Sequence, residues 1–301
     1  MAVDLTNSRS FARTLNAVGA RSDSLKIVVR ILQVSDSHLS PAVPYADEHW
    51  AAVVAHVRAD SPDLVVHTGD ISYNGSADVA DLEHARRLLD ELPVPWLAIP
   101  GNHDIGDFGS DTPEPIDAVR RANYVDRFGE TSWTHNVETG DTTWRLVGVD
   151  VQTLLGDVPE SPGLWTWLER ELAPGRGPTV LFIHRPLMPW RDGEVDDPHR
   201  YVTEPARSRL LDLVATGDVR LVASGHVHQW RTNGFVEPAH VWAPPTWAVL
   251  PETIQPVLGS KLTGVVEHHL HDDETVTSTL VIPAGVRRVV SGEDFPNPYA
   301  H

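Results

Sequence analysis

IVVRILQVSDSH, residues 27–38, is the stretch whose reading sets the fold. Ile27 to Val34 is an apolar run of strand length, and it breaks off into the polar cluster Asp36-Ser37-His38. The same grammar recurs. Leu64 to His67 leads into Thr68-Gly69-Asp70, and Trp96 to Ile99 leads into Pro100-Gly101-Asn102-His103-Asp104. Thr179 to Ile183 leads into His184, and Val219 to Ala223 into Ser224-Gly225-His226-Val227-His228. Segments with helical spacing lie between these strands: Asp47 to Val57, Val79 to Leu92, Ile116 to Phe128, Leu164 to Leu172 and Pro205 to Val214. Thr143 to Val151 reads as a further strand. Strands alternating with helices predict an α/β layered fold. The character changes near the C-terminus, where Leu262 to His269 and Thr275 to Ile282 read as antiparallel strands joined at His271 to Glu274.

Composition narrows the chemistry. The 301 residues contain no cysteine, so disulfides, thiolate nucleophiles and cysteine-held metals or clusters are excluded. Any metal must be held by histidine, carboxylate or amide. Forty-two acids against 24 Lys and Arg give a formal net charge of −18. Nucleic-acid binders present basic surface to phosphates, so a nonspecific nuclease is disfavoured and no nucleic-acid partner is expected. No apolar run is long enough to span a bilayer, so no membrane partner is expected either. The first residues lack the apolar core of a secretory signal, and a cytoplasmic location is expected. The organisation predicted is a lead-in over 1–25, one domain over 26–285 whose C-terminal strands complete the second sheet, and a tail over 286–301.

The polar clusters all sit at carboxyl ends of predicted strands, where loops converge and α/β proteins bind ligands. Their residue types are those that ligate metals. Asp36 and His38, two apart in one turn, can chelate one ion. Asp70 on the neighbouring strand is the natural bridge to a second. Asn102 offers an amide oxygen, His184 and His226 add imidazole nitrogens to the second ion, and His228 can turn back to the first. One ion cannot use so many donors; two can. Two ions about 3.5–4 Å apart clamp a phosphate and lower the pKa of bound water to about 7, so that a bridging hydroxide can attack phosphorus. His103 is left over as the proton donor to the leaving oxygen, with Asp104 expected to orient it through a hydrogen bond. Glycines before Asp70, Asn102 and His226 are expected to let the backbone turn sharply.

These five blocks in this order resemble the signature of the calcineurin-like binuclear metallophosphoesterases. The resemblance runs from Asp36 to His228, nearly two thirds of the chain. It implies a four-layer αββα sandwich, two mixed β-sheets flanked by helices, with a pair of Mn, Fe or Zn ions between the sheets' loops. Protein-phosphatase-like members carry Asp-Arg-Gly after the second block and Arg before the third, whereas this chain has Ile71-Ser72-Tyr73 and Pro100. Gly69 to Tyr73 matches the Gly-Asp-x-x-Tyr of purple acid phosphatases, whose tyrosine binds iron, but those enzymes lack a ligand where His38 stands. Tyr73 is therefore not expected to be a ligand. Asp-x-His first and Gly-His-x-His-Gln last is most similar to class III cyclic-nucleotide phosphodiesterases and their relatives. That implies a hydrolase of small phosphodiesters, of cyclic-nucleotide or glycerophosphodiester type, acting on a small-molecule phosphate ester. The alternatives are a phosphomonoesterase of the same fold, for which Arg185 would shield a terminal dianion, and a metal-binding protein without turnover.

Other histidines read as structural. His67 lies inside an apolar strand, and in His268-His269-x-His271 strand alternation puts the first two on opposite faces. Arg185, Trp190, His199 and Arg200 lie in a long loop over residues 185–204 from which a side chain could reach substrate, though ordinary loop packing is the expected reading.

Overall fold

The structure, a computed structural model, describes residues 28–109, 112–190, 194–233 and 237–294. The expected lead-in lies outside the described residues. Two sheets stack face to face. The first has the order β11-β10-β1-β2-β3, from β1 (Val28–Val34), β2 (Leu64–His67), β3 (Trp96–Ala98), β10 (Val265–His271) and β11 (Val276–Val281). The second has the order β4-β5-β6-β7-β9-β8, from β4 (Trp133–Thr139), β5 (Thr142–Val149), β6 (Thr179–Ile183), β7 (Val219–Ser224), β8 (Arg231–Thr232) and β9 (Ala239–Trp242). Both are mixed: β1, β2 and β3 run parallel, as do β5, β6, β7 and β9, while β10, β4 and β8 pair antiparallel.

Strand alternation builds the layers. Val29, Ile31, Leu64 and Val66 of the first sheet meet Leu146, Val180, Phe182 and Leu221 of the second in one inter-sheet core. Their neighbours point the other way. Leu32, Val34 and Val65 pack under helices α1 (Pro44–Asp60), α2 (Val79–Leu89) and α4 (Ala118–Phe128). Val147, Val149, Leu181 and Ile183 pack under α5 (Val151–Leu155), α6 (Ser161–Glu171) and α7 (Ala206–Thr216). Helix α3 (Asn102–Ile105) is a single turn at the sheet edge. Central parallel strands bury both faces, so β2 and β6 are buried at every residue. The result is the four-layer αββα sandwich.

Several boundaries move for local reasons. The first helix begins at Pro44, a residue suited to the opening turn. The strand expected to reach Val151 stops at Val149, because the Asp150 carboxylate accepts the Thr153 N–H at 2.9 Å and starts α5. Strand β4, absent from the sequence reading, forms a hairpin with β5; its half-buried alternation is that of a sheet edge. The C-terminal pair does not complete the second sheet. Strand β10 pairs with β1, Ile31 opposite His268, covering an edge of a buried strand that would otherwise leave its backbone groups unpaired. Nor do residues 286–294 form a tail: Val286, Val289 and Val290 are buried, and Ser291 N–H bonds Val249 O at 3.0 Å. No helix among the described residues is long and apolar enough to cross a membrane.

The sheets are also joined by polar groups. Buried Gln33 donates to Thr68 Oγ1 (3.0 Å) and to Ser224 O across the sandwich (3.1 Å), and its carbonyl pairs with His268 Nε2 at 3.0 Å. Ser278 meets the other ring nitrogen at 2.8 Å. His268 is thus a buried structural residue, held neutral by burial with its pKa pushed down to about 3. His67 is likewise buried, with Nε2 at 2.9 Å from Ser37 Oγ.

Candidate active site

The loops after β1, β2, β3, β6 and β7 close on one another over the sandwich edge. Asp36 N–H bonds Gly69 O (3.0 Å), His38 N–H bonds Asp70 O (3.0 Å), and Gly225 N–H bonds His184 O (2.9 Å). Within these turns Asp36, His38, Asp70, His226 and His228 all have φ between 45° and 67°. Left-handed backbone at a non-glycine residue costs on the order of 1–3 kcal/mol and collects at functional sites. Five such residues together mean that the surrounding sheets impose the geometry. Of the three glycines expected to turn the chain, only Gly69 does so by a positive φ, 97°. Gly101 and Gly225 serve by lacking a Cβ, which would collide with the Asp70 carboxylate and with Ser35 respectively.

Six of the seven expected ligands form two groups. Asp36, His38, Asp70 and His228 make the first; Asp70, His184 and His226 make the second. His38 Nε2 lies 3.2 Å from His228 Nε2, which lies 3.4 Å from Asp36 Oδ1. In the second group His184 Nε2 stands 3.2 Å from Asp70 Oδ2 and 3.2 Å from His226 Nδ1. Asp70 is common to both. The seventh, Asn102, opens α3, and its side-chain oxygen is buried with no hydrogen-bond partner.

These donors fit metal ions. The outward nitrogens of three rings are committed to backbone carbonyls: His184 Nδ1 to Thr68 O (2.8 Å), His226 Nε2 to His199 O (2.7 Å) and His228 Nδ1 to Ala248 O (2.7 Å). Donating outward leaves a lone pair facing inward, the arrangement that orients metal-binding imidazoles. Inward lone pairs on His184 Nε2 and His226 Nδ1, 3.2 Å apart, repel unless a cation lies between, and the orphaned Asn102 amide oxygen is of a type that suits the same purpose. The rings differ in their electrostatics. Burial pushes His38 and His226 well down, whereas on His184 the Asp70 carboxylate overcomes burial and lifts it to about 9. On Asp70 burial acts upward, but His184 and His103 outweigh it and hold the carboxyl well below its usual range.

His103 lies beside this centre, its ring centroid 4.7 Å from that of His38, and its Nδ1 bonds Tyr73 O at 2.8 Å. Asp104 does not orient it. The Asp104 carboxylate accepts from Ile71 N (3.1 Å), Ser72 N (2.9 Å), Ser72 Oγ (2.7 Å) and Gly101 N (2.9 Å), tying the β2 turn to the β3 turn. Adjacent residues on a helical turn point in different directions, so Asp104 and His103 cannot face each other. Burial and the nearby Asp70 raise Asp104 to about 6.

Arg185 is fully buried, donating to Asp107 at 2.9 and 3.1 Å and to Pro198 O at 2.8 Å. Trp190 stacks on Arg231, and Arg200 pairs with Asp197 at 3.2 Å. Tyr73 stands 6.3 Å from His38, ring to ring. Sequence reasoning missed Trp247. This indole is wholly buried against His38 (4.6 Å between centroids), and the backbone N–H of Trp247 donates to Asp36 O at 3.1 Å. The only signal was an apolar Trp-Ala-Val-Leu run over residues 247–250, lacking the strand–turn context of the other blocks.

The sequence matches the profile of the calcineurin-like phosphoesterases over residues 29–230. It is 25% identical over 223 residues to a probable cyclic nucleotide phosphodiesterase of Psychrobacter arcticus, covering 68% of this chain and 75% of the relative. It is 29% identical over 216 residues to a probable glycerophosphodiester phosphodiesterase GpdQ of Arcobacter nitrofigilis, covering 67% and 73%. Among solved structures, a dimetal phosphatase from Danio rerio superposes with a TM-score of 0.56 at 12% identity, over 85% of this chain and 99% of that one. With its profile match covering two thirds of the chain, this protein belongs to the calcineurin-like phosphoesterase family.

Proposed function

We propose that the protein is a binuclear metal-dependent phosphodiesterase of small phosphodiesters, of the cyclic-nucleotide or glycerophosphodiester type. The observation that carries the two-ion reading is Asp70, common to both ligand groups. Asp36, His38 and His228 would complete one ion's shell; Asn102, His184 and His226 would complete the other's. Imidazole, carboxylate and amide donors suit Mn, Fe or Zn. When bound, such a pair polarises the phosphate oxygens and acidifies a water so that it attacks at neutral pH. His103 gives the leaving oxygen its proton from Nε2 as the ester P–O bond breaks. The Tyr73 carbonyl accepts from Nδ1–H and fixes the ring. Asp104 braces the turns that carry Asp70 and His103.

Two findings support a diester over a monoester. The relatives in Psychrobacter and Arcobacter bear phosphodiesterase names. A monoester would need extra positive charge for its dianion, and the guanidinium expected for that, Arg185, is spent on Asp107 and Pro198 O. The test compares bis(p-nitrophenyl) phosphate with p-nitrophenyl phosphate on Mn²⁺-loaded and chelated protein. Metal-dependent preference for the diester is expected; preference for the monoester would overturn the assignment. In the same assay His103→Ala retains two metals and slows turnover roughly 10²–10⁴-fold, most for the poorest leaving groups. Loss of metal in that variant would remove His103 from its role.

A further inference from the structure

Resting on the two-ion reading above, we infer that Arg185 is a positioning residue for the half of the site formed by Asp70, Asn102, His184 and His226. It follows the candidate ligand His184 in sequence, and its guanidinium spans two loops. One amino group meets Asp107 at 2.9 and 3.1 Å; the other meets Pro198 O at 2.8 Å. Each contact leads back to a ligand. On one side, the Gln152 amide, oriented so that both its ends are satisfied, donates to Asp107 Oδ1 at 3.2 Å and accepts from Asn102 N at 3.2 Å. On the other side, the residue after Pro198 is His199, whose carbonyl accepts a hydrogen bond from His226 Nε2–H at 2.7 Å and so leaves Nδ1 facing the centre. Arg185 therefore holds the turn that carries Asn102 and the carbonyl that orients His226 at a set separation. The Phe108 ring, 4.6 Å below the guanidinium carbon, keeps it in plane. None of these contacts touches the first group. His38 and His228 are backed instead by Trp247.

The full chain, made metal-free, is titrated with Mn²⁺ at neutral pH and its bound metal counted, for wild type, Arg185→Met, Asp107→Asn and the double variant. In wild type two equivalents bind. In Arg185→Met one equivalent keeps its affinity and the other weakens roughly 10–100-fold, the range for residues that support a ligand. The weakened equivalent is the one that His184→Ala also loses. The double variant is no worse than the weaker single, because both residues act through one contact. If Arg185→Met does not fold, Arg185→Lys serves, since one ammonium cannot hold Asp107 and Pro198 O together; it weakens the same equivalent by less. Unchanged affinity for both ions, or equal weakening of both, overturns the proposal. Fewer than two equivalents in wild type overturns it together with the two-ion reading. The titration uses no substrate, so a preference for monoesters would leave its result standing.

Discussion

The two halves of the metal-binding edge are held by opposite physical means. Asp36, His38 and His228 are buried and rest on the core: Trp247 packs tilted against His38 and edge-on to His228, and the strap over residues 245–249 is sewn to the β1 turn through Thr246 N–H to Ser35 O (3.1 Å) and Trp247 N–H to Asp36 O (3.1 Å). His184 is buried as well, but it leads into Arg185, whose ion pair with Asp107 and contact with Pro198 O span the loops, and His226 faces those loops with Nε2 on His199 O. Apolar backing cannot be removed without removing fold stability, since the same atoms fill the core. A charged brace between loops can be removed with much less damage, because Asp107 is a quarter exposed and can be solvated. The first half is thus part of the fold, and the second is an attachment to it.

The largest effect should come from the residue that belongs to both. Asp70→Ala should lose both Mn²⁺ equivalents and diesterase activity by more than the roughly 100-fold that a supporting residue costs, read from metal content and turnover. One equivalent surviving at full affinity would show that the halves do not share Asp70. Trp247→Ala should lower unfolding free energy by about 3–5 kcal/mol and weaken the equivalent that His228→Ala loses, the reverse of the pattern expected for Arg185→Met. Equal Mn²⁺ affinities in Trp247→Ala and wild type would break the contrast.

The effect that is smallest at neutral pH supplies a background common to both halves. His268 is neutral in the fold until about pH 3, whereas the unfolded chain protonates it near 6.5. Between those values the unfolded state binds the extra proton, so stability falls as pH falls, approaching about 1.4 kcal/mol per pH unit. His268→Gln should flatten that acid limb in denaturant titrations of metal-free protein. An unchanged slope would assign the acid sensitivity elsewhere.

Legibility followed locality. β2 and β6 were read to the residue because buried parallel strands are continuous apolar runs with abrupt polar ends. β4 went unread because a half-exposed edge carrying Thr134, His135 and Asn136 has no apolar run to betray it. The C-terminal strands were legible as a pair but not in their partner, since alternation states which face is buried and not which edge is covered. In the site, residue types and their places at strand ends pointed to the six side chains that the structure gathers into two groups. Asp104 was misassigned because sequence adjacency to His103 does not imply a shared direction.

The sequence alone carried the layering, the strand ends that bear polar clusters and the kinds of donor available, because these depend on patterns a few residues long. Only the tertiary structure decided that five of the candidate ligands adopt left-handed backbone, and that Trp247 and Arg185 back opposite halves. Those depend on contacts between segments up to some two hundred residues apart, which form only when both sheets are stacked and their loops are forced together.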